Sequence, residues 1–315
     1  MSALKRLGIN SSLIETNKSL SEAQKQTQDT FGFKWSRRNT YESDSVKTVT
    51  RQWLLEKYCN NDPEHIDEWL AGERKIILDA GCGAGYSALL FFGDRLKSHD
   101  YLGVDISDAV EVARVRFQEE GYPADFLRRS LLDLDIIPDG SVDMIFSEGV
   151  LHHTDSTEES IKYLSTKLRN GGRFLFYVYA KKAVIREFTD DYIREQLRPL
   201  NDKEAWKALE PLTKLGIALG RMNVELDVPE DIPYLGIKKG TVDLQRFFYW
   251  NVCKLYYRPE YSLDEMNHIN FDWYRPLNCH RHSPEEIQQW CHESELSIEH
   301  MNIQAAGITV VAVRK

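Results

Sequence analysis

The sequence predicts an α/β fold: a doubly wound, mostly parallel sheet, finished by an antiparallel C-terminal strand and carrying a helical insert. Three observations lead there. Between residues 75 and 180, short apolar runs alternate with segments of helical period, as a parallel sheet with crossover helices requires. The first run, Ile76-Ile77-Leu78-Asp79-Ala80, passes directly into the glycine turn Gly81-Cys82-Gly83-Ala84-Gly85. The chain ends with a helical pattern and two strand-like runs separated by a turn that includes Ala306-Gly307, which predicts an antiparallel pair.

Taken in order, residues 1–45 are polar and broken by the aromatic group Phe31-Gly32-Phe33-Lys34-Trp35. They read as a flexible leader that becomes ordered around something. Apolar residues at Val49, Trp53, Leu54 and Tyr58, then Ile66, Trp69 and Leu70, fall at helical spacing. Strands are expected at 75–79, 101–105, 125–129, 142–147 and 173–179. The helices between them are expected at 86–97, 108–120 and 157–169. Ser156 and Glu159 have capping-box spacing for the last of these, and Gly171-Gly172 supplies its stop.

Residues 181–280 change character: mostly helical, rich in aromatics, with Pro211, Pro229, Pro233 and Pro259 read as interruptions. This region is expected to be an insert on the ligand-binding edge of the sheet, a lid over an acceptor. Ser283-Pro284-Glu285-Glu286 opens a helix to about His292, and strands follow at 297–303 and 308–313. The expected organisation is a leader (1–45), a ligand-binding core (46–180), the insert (181–280) and a C-terminal helix with a strand pair completing the core (281–315).

Composition narrows the function. A chain of 315 residues can bury a substantial core. No run approaches the roughly 18 to 20 apolar residues of a membrane span, and the start MSALKRLGINSS lacks the apolar stretch of a secretory signal, so a cytoplasmic location is expected with no membrane partner. Five dispersed cysteines without a CxxC pair read as reduced thiols rather than a disulfide or zinc framework. The net charge of −9 and pI near 5.6 argue against tracking a nucleic-acid backbone.

The glycine turn alone is compatible with phosphates, dinucleotides and other nucleoside ligands. Its companions discriminate. A pyrophosphate over the turn would be repelled by a carboxylate at Asp79, whereas a cationic amino-acid end would be attracted. Asp105 ends the next strand, where a carboxylate can accept hydrogen bonds from both ribose hydroxyls. Asp133 follows the third strand, and the fourth runs from Pro138-Asp139-Gly140-Ser141-Val142-Asp143 to Ser147-Glu148-Gly149-Val150-Leu151-His152-His153.

In the order and spacing of DAGCGAG, GVDIS, Asp133, PDGSVD and SEGVLHHT, the chain closely resembles the class I S-adenosylmethionine-dependent methyltransferases, over about residues 75–180. The resemblance implies a Rossmann-like sheet with S-adenosyl-L-methionine as cofactor. Asp79 and the turn of Gly81, Cys82 and Gly83 would hold the methionine end, and Asp105 the ribose. Ile106 and Leu132 would sandwich the adenine, Asp133 would bind its amino group, and Ser147 would lie beside the transferable methyl. The flanks resemble small-molecule methyltransferases of biosynthetic gene clusters, which implies a small-molecule acceptor in specialised metabolism.

Outside those motifs each candidate has a plain alternative. Trp35 either contacts cofactor or acceptor or anchors the leader. Arg37 either binds an acceptor carboxylate or is a solvated charge. His152 and His153, after the fourth strand, are candidates for acceptor contact or proton transfer, or for packing. His280, His282 and Tyr274 are further candidates to take an acceptor proton. His280 and His282 with Cys279 suggest metal ligands on paper, but no larger cluster supports them, and no metal is expected. Tyr249 is a candidate pocket edge in a set of aromatics that is otherwise core. Competing functions are cleavage or cyclisation of the same cofactor and a non-enzymatic cofactor-binding subunit. The acceptor and the oligomeric state stay open, a homodimer among the options.

Overall fold

A computed structural model describes residues 2–9 and 19–315. The chain divides into two compact units, one of Met1–Ser36, Lys47–Ala180 and Asn278–Lys315, the other of Arg37–Val46 and Lys181–Leu277.

The first unit is built on a seven-stranded sheet: β1 (Ile76–Ala80), β2 (Asp100–Asp105), β3 (Ala124–Arg128), β4 (Val142–Glu148), β5 (Leu168–Tyr179), β8 (Leu296–Ile303) and β9 (Gly307–Arg314), in the order β3-β2-β1-β4-β5-β9-β8. β1 to β5 pair in parallel, while β9 pairs antiparallel with both β5 and β8. Every residue of β1 and β2 is buried, which is why Ile76-Ile77-Leu78 and Tyr101-Leu102-Gly103-Val104 read as apolar runs without alternation. The crossover helices are α5 (Tyr86–Phe92), α6 (Ala109–Glu119) and α7 (Thr157–Lys167). The order reverses at β1 and β4, so the crevice for a ligand opens at their carboxyl ends.

Several local expectations are corrected. The segment expected to be one helix over 86–97 changes from α-helix to a 3₁₀ turn at Gly93, whose φ of 58° leaves the helical region. α7 stops at Lys167 instead of running to the glycines. Leu168 already pairs with the buried Val142, and the glycines fall in an irregularity that shifts the β4–β5 register between Val142 and Met144. Ser156 accepts the Glu159 N–H, but the reciprocal half of a capping box is absent from α7; α12 (Pro284–Glu293) has the full box, between Ser283 and Glu286.

Much of the leader is helical: α1 (Ala3–Arg6) and α2 (Glu22–Ser36), followed by α3 (Asp44–Cys59) and α4 (Glu64–Leu70). The rest of the flexible-leader expectation, at residues 1 and 10–18, lies outside the described residues. α2 runs against the start of α6. A Cβ on Gly32 would stand 3.8 Å from Ser107 Cβ, an ordinary packing distance.

The second unit holds α8 (Val184–Leu197), α9 (Asp202–Met222), α10 (Leu244–Asn251) and α11 (Leu263–Tyr274). It also holds an unforeseen antiparallel pair, β6 (Glu225–Val228) with β7 (Gly240–Asp243). Pro211 does not interrupt: α9 continues through it. An Asn201–Glu204 capping box starts the helix, and its buried residues Trp206, Leu209 and Thr213 flank the proline, so packing offsets the lost hydrogen bond. Among the described residues, no helix is long and apolar enough to cross a membrane.

Candidate active site

The site in the first unit is organised by the turn after β1. Gly81, Gly83 and Gly85 have φ of 83°, 51° and 69°, conformations that L side chains rarely adopt. Gly81 and Cys82 donate their N–H groups to Val104 O at 2.8 and 2.9 Å, pinning the turn to β2. A side chain on Gly81 would collide with Val150, and a Cβ on Gly83 would stand 2.8 Å from Trp35 Nε1. The indole of α2 therefore lies directly over the turn. Lys34 Nζ sits 4.1 Å from the Trp35 ring, and the Tyr86 ring lies 6.5 Å away.

Two buried carboxylates flank this turn. Asp79 Oδ2 accepts the Tyr101 hydroxyl at 2.5 Å. Burial pushes the Asp79 pKa from its ordinary 3.8 to about 7, against the Tyr101 hydrogen bond and with help from the charges of Asp105 and Glu148. Asp105 is also raised by burial. Its Oδ2 accepts Gly83 N–H at 2.8 Å, and its Oδ1 accepts the Ser107 N–H and hydroxyl at 2.8 and 2.6 Å. Asp105 thus fastens the glycine turn to β2 and retains acceptor capacity on Oδ2.

The other core candidates fall around the same edge. Cys82 is buried and its thiol pKa is pushed well up, by burial first and the neighbouring carboxylates next, so it is no thiolate at neutral pH. Asp133 is buried against Arg129, whose Nε lies 3.4 Å from Oδ2, and Ile106 and Leu132 are half-buried. Ser147 is fully buried, and its hydroxyl donates to Ala80 O at 2.8 Å, tying β4 to β1 beside the turn.

The histidines are packed into the loop layer. His152 and His153 are both buried in a 3₁₀ turn, with ring centroids 4.2 Å apart and His152 3.8 Å from Tyr179. His153 Nδ1 lies 2.6 Å from Asn278 O, so that nitrogen carries the proton. His280 Nε2 donates to Thr154 O at 3.0 Å, and His282 Nε2 lies 2.9 Å from Thr157 Oγ1. Among the described residues, no three His, Cys, Asp or Glu side chains gather as a metal site.

Three candidates belong to the second unit. The Arg37 guanidinium lies 4.1 Å from the Trp206 ring centroid. Tyr249 is buried with Arg186 4.9 Å from its ring, and burial raises its hydroxyl pKa. The buried Tyr274 donates to Asp190 Oδ1 at 2.6 Å; Asp190 also accepts from Trp273 Nε1 at 2.7 Å, Arg186 Nε at 3.1 Å and Lys254 N at 3.1 Å.

Sequence reasoning passed over one group. Lys57 of α3 is fully buried and forms an ion pair with Glu148, the last residue of β4, whose Oε2 also accepts the Tyr58 hydroxyl at 2.8 Å. Burial draws the Lys57 pKa down to about 8 although Glu148 raises it. The available signal was a lysine four residues after Trp53 and three after Leu54, on the apolar face of a helix.

The residues fit S-adenosylmethionine. The glycines of the turn permit close backbone approach, while Asp79 and Asp105 offer acceptors for an ammonium and for hydroxyls. The methyltransferase-domain family matches residues 78–176. The chain is 34% identical over 106 residues to the methyltransferase gedG of Aspergillus terreus, covering 33% of this chain and 31% of that one. It is 30% identical over 106 residues to a tRNA U34 carboxymethyltransferase of Pseudoalteromonas atlantica, covering 33% and 31%. Among solved structures, the magnesium protoporphyrin IX methyltransferase of Synechocystis PCC 6803 with bound S-adenosylhomocysteine shares the fold, with a TM-score of 0.50 at 14% identity over 93% of this chain and 100% of that one.

Residues 78–176 match a methyltransferase domain, carried on the Rossmann-like sheet of the S-adenosylmethionine-dependent methyltransferases. The chain spans about a third of the length of the curated relatives it matches, from 29% to 38% for the first three.

Proposed function

We propose that this protein transfers the methyl group of S-adenosylmethionine to a small-molecule acceptor in specialised metabolism. The observation that carries the reading is the pair of buried carboxylates, Asp79 and Asp105, on either side of a turn whose Gly83 N–H is itself bound by Asp105. When bound, the cofactor supplies an activated methyl on a sulfonium.

The chain's own residues bind, orient and exclude water. Asp79 receives the ammonium, and the free capacity of Asp105 Oδ2 receives a ribose hydroxyl. Ile106 and Leu132 enclose the adenine, Asp133 meets its amino group, and Trp35 covers the methionine end. Acceptor choice is assigned to parts of the chain outside the matched segment 78–176, because proteins named for different reactions resemble only about a third of this chain. A small molecule is favoured over nucleic acid by the net charge of −9.

The test has two stages. Calorimetry should show S-adenosylhomocysteine binding, weakened by roughly 1–3 kcal/mol in Asp105→Ala, with no comparable binding of NAD. Incubation with S-adenosylmethionine and either a metabolite library or bulk tRNA, read by mass spectrometry, should then give a singly methylated small molecule. Methylated tRNA with an untouched library would overturn the acceptor class.

A further inference from the structure

We infer that Glu148 is a charge-reading residue of the cofactor site: its carboxylate favours the sulfonium form of the cofactor over the neutral thioether product, and Lys57 and Tyr58 are positioning residues that hold it in place. The inference rests on the cofactor reading above and deepens it.

Strand register places the group. β1 and β4 are parallel neighbours with Asp79 opposite Phe146. Side chains alternate along a strand, so Asp79, Phe146 and Glu148 project from the same face of the sheet. Glu148 stands two residues further toward the carboxyl end, level with the start of the glycine turn. Val150, two residues on, is the side chain that Gly81 must clear. The two carboxylates share one field, because the Glu148 charge is among those that raise Asp79.

A carboxylate in this position costs free energy unless both of its oxygens are paired. Here one oxygen faces the Lys57 ammonium and the other takes the Tyr58 hydroxyl hydrogen. Lys57 has no exposed side-chain surface, and its Nζ lies 3.4 Å from the Trp53 ring and 3.8 Å from the Tyr177 ring. The aromatic faces stabilise the ammonium where water is absent. A buried cation, two aromatic rings and a phenol thus hold one carboxylate in place.

The use for that charge follows from the ligand's chemistry. S-adenosylmethionine and S-adenosylhomocysteine carry the same ammonium, carboxylate, ribose and adenine. They differ by one methyl and one positive charge at sulfur. Asp79 meets what they share, and a second anion further along the same face senses the difference. Loss of the methyl removes the attraction, so the site holds the donor more tightly than its spent form.

The experiment is calorimetry of the full chain with each of the two ligands, which needs no acceptor. Glu148→Gln should weaken S-adenosylmethionine about tenfold, a fraction of the Coulomb energy of one buried pair, and leave S-adenosylhomocysteine within about twofold. Because the single change strands Lys57 without an anion, the double variant K57M/E148Q is measured beside it and should lose the same preference. Lys57→Arg should retain the preference. Lys57→Met should reduce it, because the Glu148 carboxylate then lacks the partner that holds it in place. Loss of affinity for both ligands in equal proportion, or for neither, in folded variants overturns the inference and leaves the cofactor reading intact. A wild-type chain that binds neither ligand overturns both.

Discussion

Tyr101 donates its hydroxyl hydrogen to Asp79 Oδ2 across 2.5 Å, with both side chains buried, and even so the Asp79 pKa stands at about 7. One hydrogen bond fails to compensate for removing a carboxylate from water beside two other acidic groups. The folded chain consequently holds the Asp79 proton more tightly than the unfolded chain, where the group titrates near its ordinary 3.8. Stability from this group is present below that lower value and is lost as pH rises through about 7. Asp79→Asn keeps an acceptor for Tyr101 and removes the charge. It should raise the melting temperature at pH above 7, have less effect near pH 4, and weaken S-adenosylhomocysteine binding, because the ligand's ammonium then meets no anion. Thermal melts across pH with parallel calorimetry check both effects. A variant less stable than wild type at high pH would show that the charge is not strained.

Gly81→Ala should be costly for two independent reasons. The residue has φ of 83°, and the added methyl runs into Val150. Strain at such a position costs about 1–3 kcal/mol. Val150→Ala in the same chain should relieve the collision and leave the dihedral term, so partial recovery of the melting temperature is expected. Full recovery would mean that the turn tolerates the backbone conformation without penalty.

Trp35 rests on Gly83 while the buried positions of its helix are Gln24, Thr27, Thr30 and Lys34. A helix held by so little apolar surface gains correspondingly little from burial. Trp35→Ala should accordingly lower S-adenosylhomocysteine affinity by tenfold or more and change the melting temperature by only a degree or two, on the order of 0.5 kcal/mol. Limited proteolysis within α2 should slow when the ligand is added. A large fall in melting temperature with normal affinity would make Trp35 an anchor of the core instead.

That helix also shows where sequence reading stops. β1 and β2 were legible because strands covered on both faces carry short apolar runs, Ile76-Ile77-Leu78 and Tyr101-Leu102-Gly103-Val104, each ending at an aspartate, and α12 because Ser283 and Glu286 announce its start. α2 turns polar side chains inward, so its period carries no hydrophobic signal. β6 and β7 span four residues each and are largely exposed, too short to show an alternation. In the site, Asp79 and Asp105 are readable from their place at strand ends. The partnership of Lys57 with Glu148 joins positions 91 residues apart and exists only after β4 and α3 meet. Pro211 misled because a proline inside a helix usually marks its end, and here the packing around it outweighed one lost bond.

In the second unit, Asp190 gathers four donors: the Tyr274 hydroxyl, the Trp273 indole, Arg186 Nε and the Lys254 N–H. Removing one donor and removing the acceptor should differ sharply. Tyr274→Phe deletes a single bond and leaves Asp190 with three, so a loss of about 1 kcal/mol is expected. Asp190→Ala strands Arg186, which is 1% exposed, as a buried cation without its anion, and breaks all four bonds; a loss of about 3–5 kcal/mol follows. Chemical denaturation of the full chain measures both, followed through tryptophan fluorescence since Trp273 is itself a member of the network. Once an acceptor is known, Tyr274→Phe also decides between packing and chemistry. Normal turnover in a mildly destabilised protein assigns its hydroxyl to Asp190 alone, while a tenfold loss of kcat at unchanged S-adenosylhomocysteine affinity assigns it to the acceptor.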